Sequence, residues 1–326
     1  MYAILQIEHT SRFTHSKDNV YMKDFITLSD WSTKDLWYLI DLAKHLKFEW
    51  VSGGNKPVLG GKILAMIFQK PSLRTRTSFE VAMKHLGGDA IMMGPDEIGL
   101  GKRESIADIA RVISTYTQGI MARVFDHAHV EELAQWASVP VINGLSDAQH
   151  PCQAMGDFLT IYEHFGHLER LKLAYIGDGN NMAASLLLGA AHFGQQFRIA
   201  TPQQYTLPQA AIKIAEPIAE RNGGTISVFT DPNEAVEGAD IIYTDTWVSM
   251  GQEEETSARL KVMQPYQVND ALVNRANKYA IVMHCLPAHR GQEITDEVAD
   301  GTHSVIFPQA ENRLHMQKAI LVKLMG

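Results

Sequence analysis

The sequence is 326 residues long, 45% hydrophobic and 20% charged, with a formal net charge of −8 at pH 7. That length suits two domains of ordinary soluble composition. The acidic balance argues against nucleic acid or an anionic membrane surface as a partner. No apolar run approaches the roughly 20 residues a membrane helix needs. Residues 1–22 read as a loose tail without the unbroken apolar stretch of a secretory signal. Two cysteines, Cys152 and Cys285, are too few for a disulfide framework and lack metal-ligand spacing. A reducing, cytoplasmic setting and no metal site are expected.

In chain order, a helix is predicted near 33–48 and a buried strand over 62–68, where Lys-Ile-Leu-Ala-Met-Ile-Phe is almost continuously apolar. A helix over 75–86 follows, with Phe79, Ala82, Met83 and Leu86 at helical spacing and Gly87-Gly88 as its stop. Ser72-Leu73-Arg74-Thr75-Arg76 therefore lies at the carboxyl end of a strand and opens a helix. Free N–H groups and the positive end of the helix dipole favour an anion there. Two guanidinium groups and two hydroxyls add donors that match phosphate oxygens. The same residues would also serve a capped helix with two surface arginines.

A helix near 105–117, a strand over 119–125 carrying Arg123 near its end, a helix over 129–137 and a strand over 139–145 come next. A helix then opens at His150-Pro151, proline being harmless in a first turn, and runs toward His164. His150 and Gln153 stand one turn apart on one side of it, able to donate to a single carbonyl oxygen or merely to cap and pack. The second half alternates strands near 172–177, 196–201, 225–230, 241–247 and 280–286 with helices. A last helix from Ala310 onward offers Leu314, Ala319, Leu321 and Leu324 as its packing face. Such alternation predicts an α/β fold of two doubly wound parallel-sheet domains.

Two segments invite other readings. Gly177-Asp178-Gly179-Asn180-Asn181-Met182 follows a strand and opens a helix, as a dinucleotide-binding turn does. Its third glycine is missing, and the next strand ends at Ala200-Thr201-Pro202 with no acid to hold a ribose. Met283-His284-Cys285-Leu286-Pro287 suggests a Cys–His nucleophile. Neighbours on a strand face opposite sides, however, so His284 is badly placed to activate Cys285.

Pro71 to Glu80, P-S-L-R-T-R-T-S-F-E, resembles the carbamoyl-phosphate signature S-T-R-T-R of the aspartate/ornithine carbamoyltransferase family, with Leu73 where threonine is commonest. H-P-C-Q at 150–153 and H-C-L-P at 284–287 are similar to two further signatures of that family. D-T-W-V-S-M-G at 245–251 resembles its ornithine-binding loop. The likeness runs from about Lys23 to Leu324. It implies carbamoyl transfer from carbamoyl phosphate to the δ-amine of L-ornithine, without a cofactor. Carbamoyl phosphate would be held by Ser72, Leu73 through its N–H, Arg74, Thr75, Arg123, His150, Gln153, the Cys285 and Leu286 carbonyls, and Arg313. Arg74, Arg123, His150 and Cys285 would form the catalytic group. Asn181, Asp245, Ser249 and Met250 would hold ornithine. The alternatives are a carbamoyltransferase for putrescine, acetylornithine or aspartate, a catalytically dead homologue or, remotely, a nicotinamide-dependent oxidoreductase. Family members assemble as trimers and lend the loop matching 95–105 to a neighbour's site. Here Gly99 stands at the usual contact position, so either the contact is absent or Lys102 or Arg103 replaces it, and no site residue is assigned. The implied division is 23–149 for carbamoyl phosphate, with helix 310–326 returning to it, and 150–309 for ornithine, with the active site in the cleft between the two.

Overall fold

The structure, a computed structural model, describes residues 24–101, 103–248 and 256–326. The first half contains α1 (Thr33–Val51), β1 (Ile63–Phe68), α2 (Leu73–His85), β2 (Asp89–Met93), α3 (Pro95–Ile98), α4 (Ile106–Tyr116), β3 (Gly119–Arg123), α5 (His127–Trp136) and β4 (Val141–Leu145). Helix α6 (Pro151–Phe165) leads to β5 (Lys172–Ile176), α7 (Asn181–His192), β6 (Gln196–Ala200), α8 (Gln209–Asn222), β7 (Thr225–Phe229), α9 (Pro232–Val236) and β8 (Ile241–Thr244). The chain ends with α10 (Thr256–Met263), α11 (Asp270–Val273), β9 (Ile281–His284), α12 (Asp296–Ala299) and α13 (Ile306–Met325). Serines and threonines just before apolar periodic stretches start several helices. Ser32, Ser72 and Ser105 each accept the N–H three residues on.

The strands form two parallel sheets, ordered β2-β1-β3-β4 and β7-β6-β5-β8-β9. Successive residues of β1 alternate between the two faces of the first sheet. Leu64, Met66 and Phe68 enter one cluster with α1, α2 and α6, while Ala65 and Ile67 enter another with α4 and α5. The second sheet is covered likewise, Tyr175 on the α7 side and Ile176 on the side of α9, α11 and α12. Both faces of both sheets are thus buried, as near-continuous apolar strands require. The doubly wound two-domain architecture is the one expected from the alternation. Among the described residues no helix is long and apolar enough to cross a membrane.

Three expectations need correction. Strand β2 has no counterpart in the sequence reading. It is a five-residue edge strand after Gly87-Gly88, only partly buried, and its apolar run, Ala90 to Met93, is just four residues long. Helix α13 starts at Ile306 rather than near Ala310. Its packing is not one stripe, because residues 315–321 are all buried while Leu314 and Leu324 are only partly so. The helix is enclosed by α6, α1 and α2 at once, and that arrangement erases the polar face.

Each strand order reverses once, between β1 and β3 and between β5 and β8, opening a crevice at the carboxyl ends of those strands. Phe68 pairs with Arg123 at the first reversal, and Ile176 with Thr244 at the second. The loops that follow, 69–72, 177–180 and 245–248, carry the residues singled out by their motifs.

Candidate active site

Ser72 caps α2, its Oγ accepting from Thr75 N at 3.3 Å and its hydroxyl lying 3.0 Å from Thr75 Oγ1. No acid occupies the first turn of α2, so its positive end is unopposed locally. The fully buried Thr75 hydroxyl also accepts from Arg313 Nη2 at 3.0 Å and from Arg123 Nη1 at 3.5 Å. Residues from α2, β3 and α13 thus meet at one oxygen. Leu73 turns its side chain to solvent, 78% exposed, leaving its backbone N–H to the first turn.

Arg123 and Arg313 are buried, and each keeps an Nε without a partner among the described residues. Among the described residues neither forms an ion pair, and Arg74 forms none either. Burial first, then the Arg313 and Arg74 charges, lower Arg123 to about 10. Arg313 is lowered too, mainly by burial. Lys70, which the sequence reading missed, lies over the Phe125 ring and falls to about 8 through burial and Arg123. Buried like charges without a carboxylate are costly. An enclosure of that kind suits a small dianion.

His150 stands just before α6 in a non-helical conformation, its N–H donating to Ser185 Oγ at 2.7 Å. Its buried Nδ1 has no partner among the described residues. Burial, then Arg313, Arg123 and Lys70, hold the imidazole well below its usual pKa and therefore neutral. Gln153 donates its amide to Asp157 Oδ1 at 2.8 Å, leaving Oε1 buried and unpartnered.

The Cys285 thiol donates to Asp245 Oδ1 at 2.9 Å, and burial together with that carboxylate pushes it well above the usual thiol value. It is therefore no thiolate. His284 engages elsewhere, with Nε2 3.1 Å from Glu293 Oε1 and Nδ1 accepting from Leu286 N at 2.9 Å. No Cys–His pair forms. Asp245, His284 and Cys285 each bring one potential metal-ligating atom within 4.8 Å of the others. Both His284 nitrogens are nevertheless already committed to protein partners, which weighs against a metal there.

Asp245 also accepts from Thr246 N at 2.8 Å and from Asn180 Nδ2 at 2.9 Å. Asn180, which caps α7, was not singled out in the sequence reading. A capping asparagine before an apolar helix was the available signal. Its neighbour Asn181 donates to the Ser146 carbonyl at 2.5 Å, joining the loop after β5 to the loop after β4. Asp178 and Arg259 form a buried ion pair at 3.0 Å beside these residues. Ser249 and Met250, as well as Lys102, lie outside the described residues. Gly99 adopts a left-handed conformation that ends α3, and Arg103 N bonds back to its carbonyl.

The dinucleotide reading fails at Gly179. Its N–H donates to the Tyr205 carbonyl at 2.8 Å, and a Cβ there would run into Thr206 and Leu207 backbone. The glycine lets the chain's own 205–207 segment lie where a pyrophosphate would approach.

Family models match both halves of the chain. The aspartate/ornithine carbamoyltransferase carbamoyl-P binding domain covers residues 23–163, and the Asp/Orn binding domain covers 169–324. Ornithine carbamoyltransferase of Anoxybacillus flavithermus is 54% identical over 93% of this chain and 96% of its own. The relative from Pyrococcus furiosus, named ornithine carbamoyltransferase, anabolic, is 50% identical over 93% and 96%. The solved P. furiosus ornithine carbamoyltransferase superposes with a TM-score of 0.91 at 50% identity, covering 93% of this chain and 97% of that one. The anabolic enzyme of Campylobacter jejuni gives 0.88 at 40% identity, covering 93% and 99%. With both halves matched and half the residues shared along nearly the whole length, the chain belongs to the aspartate/ornithine carbamoyltransferase family.

Proposed function

We propose that the protein is an ornithine carbamoyltransferase, converting carbamoyl phosphate and L-ornithine to L-citrulline and phosphate. The observation that carries the chemistry is the convergence of Arg123 and Arg313 on the Thr75 hydroxyl, with no carboxylate among the described residues paired to either. Relatives at about half identity bear the name ornithine carbamoyltransferase, which favours ornithine over aspartate, putrescine or acetylornithine.

In this reading the phosphate lies at the start of α2. Ser72, the Leu73 N–H, Arg74 and Thr75 hold it, and Arg313 closes the enclosure. A neutral δ-amine attacks the carbamoyl carbon, and the carbonyl electron pair moves onto oxygen. Arg123, the neutral His150 and the Thr75 hydroxyl stabilise that oxyanion. Collapse expels phosphate, whose oxygens also take the amine proton, so no separate base is needed. The unpartnered Gln153 Oε1 and the Cys285 and Leu286 carbonyls accept from the carbamoyl NH2. Asp245 faces the α-ammonium of ornithine, joined by Asn181, Ser249 and Met250, and this orientation sets the approach of the amine. Cys285 acts through its carbonyl, since its thiol stays protonated.

Further parts of the reading concern organisation. Residues 23–149 together with the C-terminal helix form the carbamoyl-phosphate unit, and 150–309 the ornithine unit. Packing of α13 on α1 and α2 supports its return to the first unit, while α6, at the junction of the two, packs on it as well. Assembly as a trimer or a multiple of one, a cytoplasmic location and a place in arginine biosynthesis complete the proposal. The anabolic naming of the P. furiosus relative supports the last. A colorimetric citrulline assay offering ornithine, putrescine, aspartate and acetylornithine in parallel tests it. Product with ornithine alone is expected, and product only with another acceptor would overturn the substrate.

A further inference from the structure

Asp157 lies one turn after Gln153 on α6, is fully buried, and forms no ion pair among the described residues. Three donors from three elements converge on it. Gln153 Nε2 and Gln309 Nε2 each reach Oδ1 at 2.8 Å, and the Tyr243 hydroxyl reaches Oδ2 at 2.9 Å. Burial pushes this carboxyl up, to about 7, while the three donors and the Arg313 charge favour its ionised form.

The consequence lies in the two amides. A glutamine side chain has nearly the same shape either way round, so packing alone cannot choose which end faces where. Asp157 Oδ1 accepts from both amides, so it turns both NH2 groups toward itself. For Gln153 this leaves Oε1 as the outward atom, and that atom is buried without a partner. For Gln309 it leaves Oε1 to accept from His284 N at 2.9 Å, at the last residue of β9, immediately before the Cys285 and Leu286 carbonyls. We propose that Asp157 is the positioning residue for the carbamoyl NH2 group, keeping acceptors rather than donors aimed at that nitrogen through Gln153 and Gln309. The inference rests on carbamoyl phosphate being the substrate and adds to that reading a residue that never touches it. A reversed Gln153 amide would set N–H against N–H in a buried site, leaving both unsatisfied.

Calorimetric titration of the full chain with carbamoyl phosphate and, separately, inorganic phosphate tests this. Wild-type protein that binds no carbamoyl phosphate would refute the substrate itself, independently of any variant. Given wild-type binding, Asp157→Ala is expected to weaken carbamoyl phosphate roughly tenfold, the cost of one misdirected buried hydrogen bond, while phosphate changes less than about twofold because it carries no amide. In a Gln153→Ala background the same substitution should cost less than about threefold, since the two act on one contact. Gln309→Ala guards against an Asp157→Ala that does not fold. It should weaken carbamoyl phosphate about threefold and spare phosphate. Equal loss of both ligands, unchanged carbamoyl phosphate affinity in a folded variant, or independent losses in the double variant would overturn the role.

Discussion

At Thr75 a single hydroxyl oxygen faces Ser72, Arg123 and Arg313 together. Two lone pairs cannot serve three donors fully, and the Arg123 contact at 3.5 Å is the weakest. Guanidinium donors left this poorly matched would gain from a ligand carrying several anionic oxygens. Arg74, which repels both buried arginines and pairs with nothing described, then matters through charge rather than packing. Arg74→Ala should lower the turnover number by about a thousandfold in the citrulline assay at saturating ornithine, at the upper end for removal of one oxyanion or phosphate donor. Cys285→Ser should keep activity within about tenfold, because a protonated thiol contributes only a hydrogen bond to Asp245. Arg74 was legible in the sequence because a strand end and a helix start fall within a few residues of it. Arg123 and Arg313 were reached only through the family resemblance, and the neighbouring Arg76 pairs with Glu80 on the surface. Asn180 and Asp157 were not legible, since their partners Asp245, Tyr243 and Gln309 come from distant strands and helices that only the topology brings near.

Helix α7 links the two halves through His192. Its Nε2 lies 3.1 Å from the Leu28 carbonyl and its Nδ1 3.0 Å from Thr33 Oγ1, so the ring donates to the first and accepts from the second as a neutral tautomer. Burial lowers its pKa to about 4. The unfolded chain therefore binds the proton first as pH falls. The stability this histidine contributes is complete above about 6.5 and declines from there toward 4. Between pH 7 and pH 5 the wild type should lose about 2 kcal/mol more stability than His192→Gln, measured by urea unfolding of both proteins at the two pH values. The neighbouring Gly189 tests packing. Alanine in a helix interior normally stabilises by about 1 kcal/mol over glycine. Here a Cβ would penetrate the ring of the fully buried Phe158 on α6, which has no room to retreat. Overpacking should win, and Gly189→Ala is expected to destabilise by about 1–3 kcal/mol, visible as a lowered thermal midpoint. Strong periodicity made α2 and the buried strands readable. β2 escaped because an edge strand, half wet and five residues long, needs no pattern of its own.

Across the whole molecule, one apolar cluster runs unbroken from α1 and β1 through α6, α7 and α13 to β8 and β9. The two sheets therefore share a core, which accounts for the sequence showing no linker between them. Assembly belongs to this scale. The proposed trimer should appear in sedimentation velocity as a single species three times the 36.3 kDa chain, or a multiple of that, and a monomer throughout would refute it.

The return of α13 bears on how the protein comes into being. Lys62, just before β1, bonds to the carbonyl of Met325, so the first sheet is finished by a helix from far along the chain. While a ribosome is still extending the chain, the faces of α1 and α2 that α13 packs against lack that neighbour, and the nascent first half must wait with that grease uncovered. Newborn molecules should accordingly lean on chaperones until translation has passed residue 325.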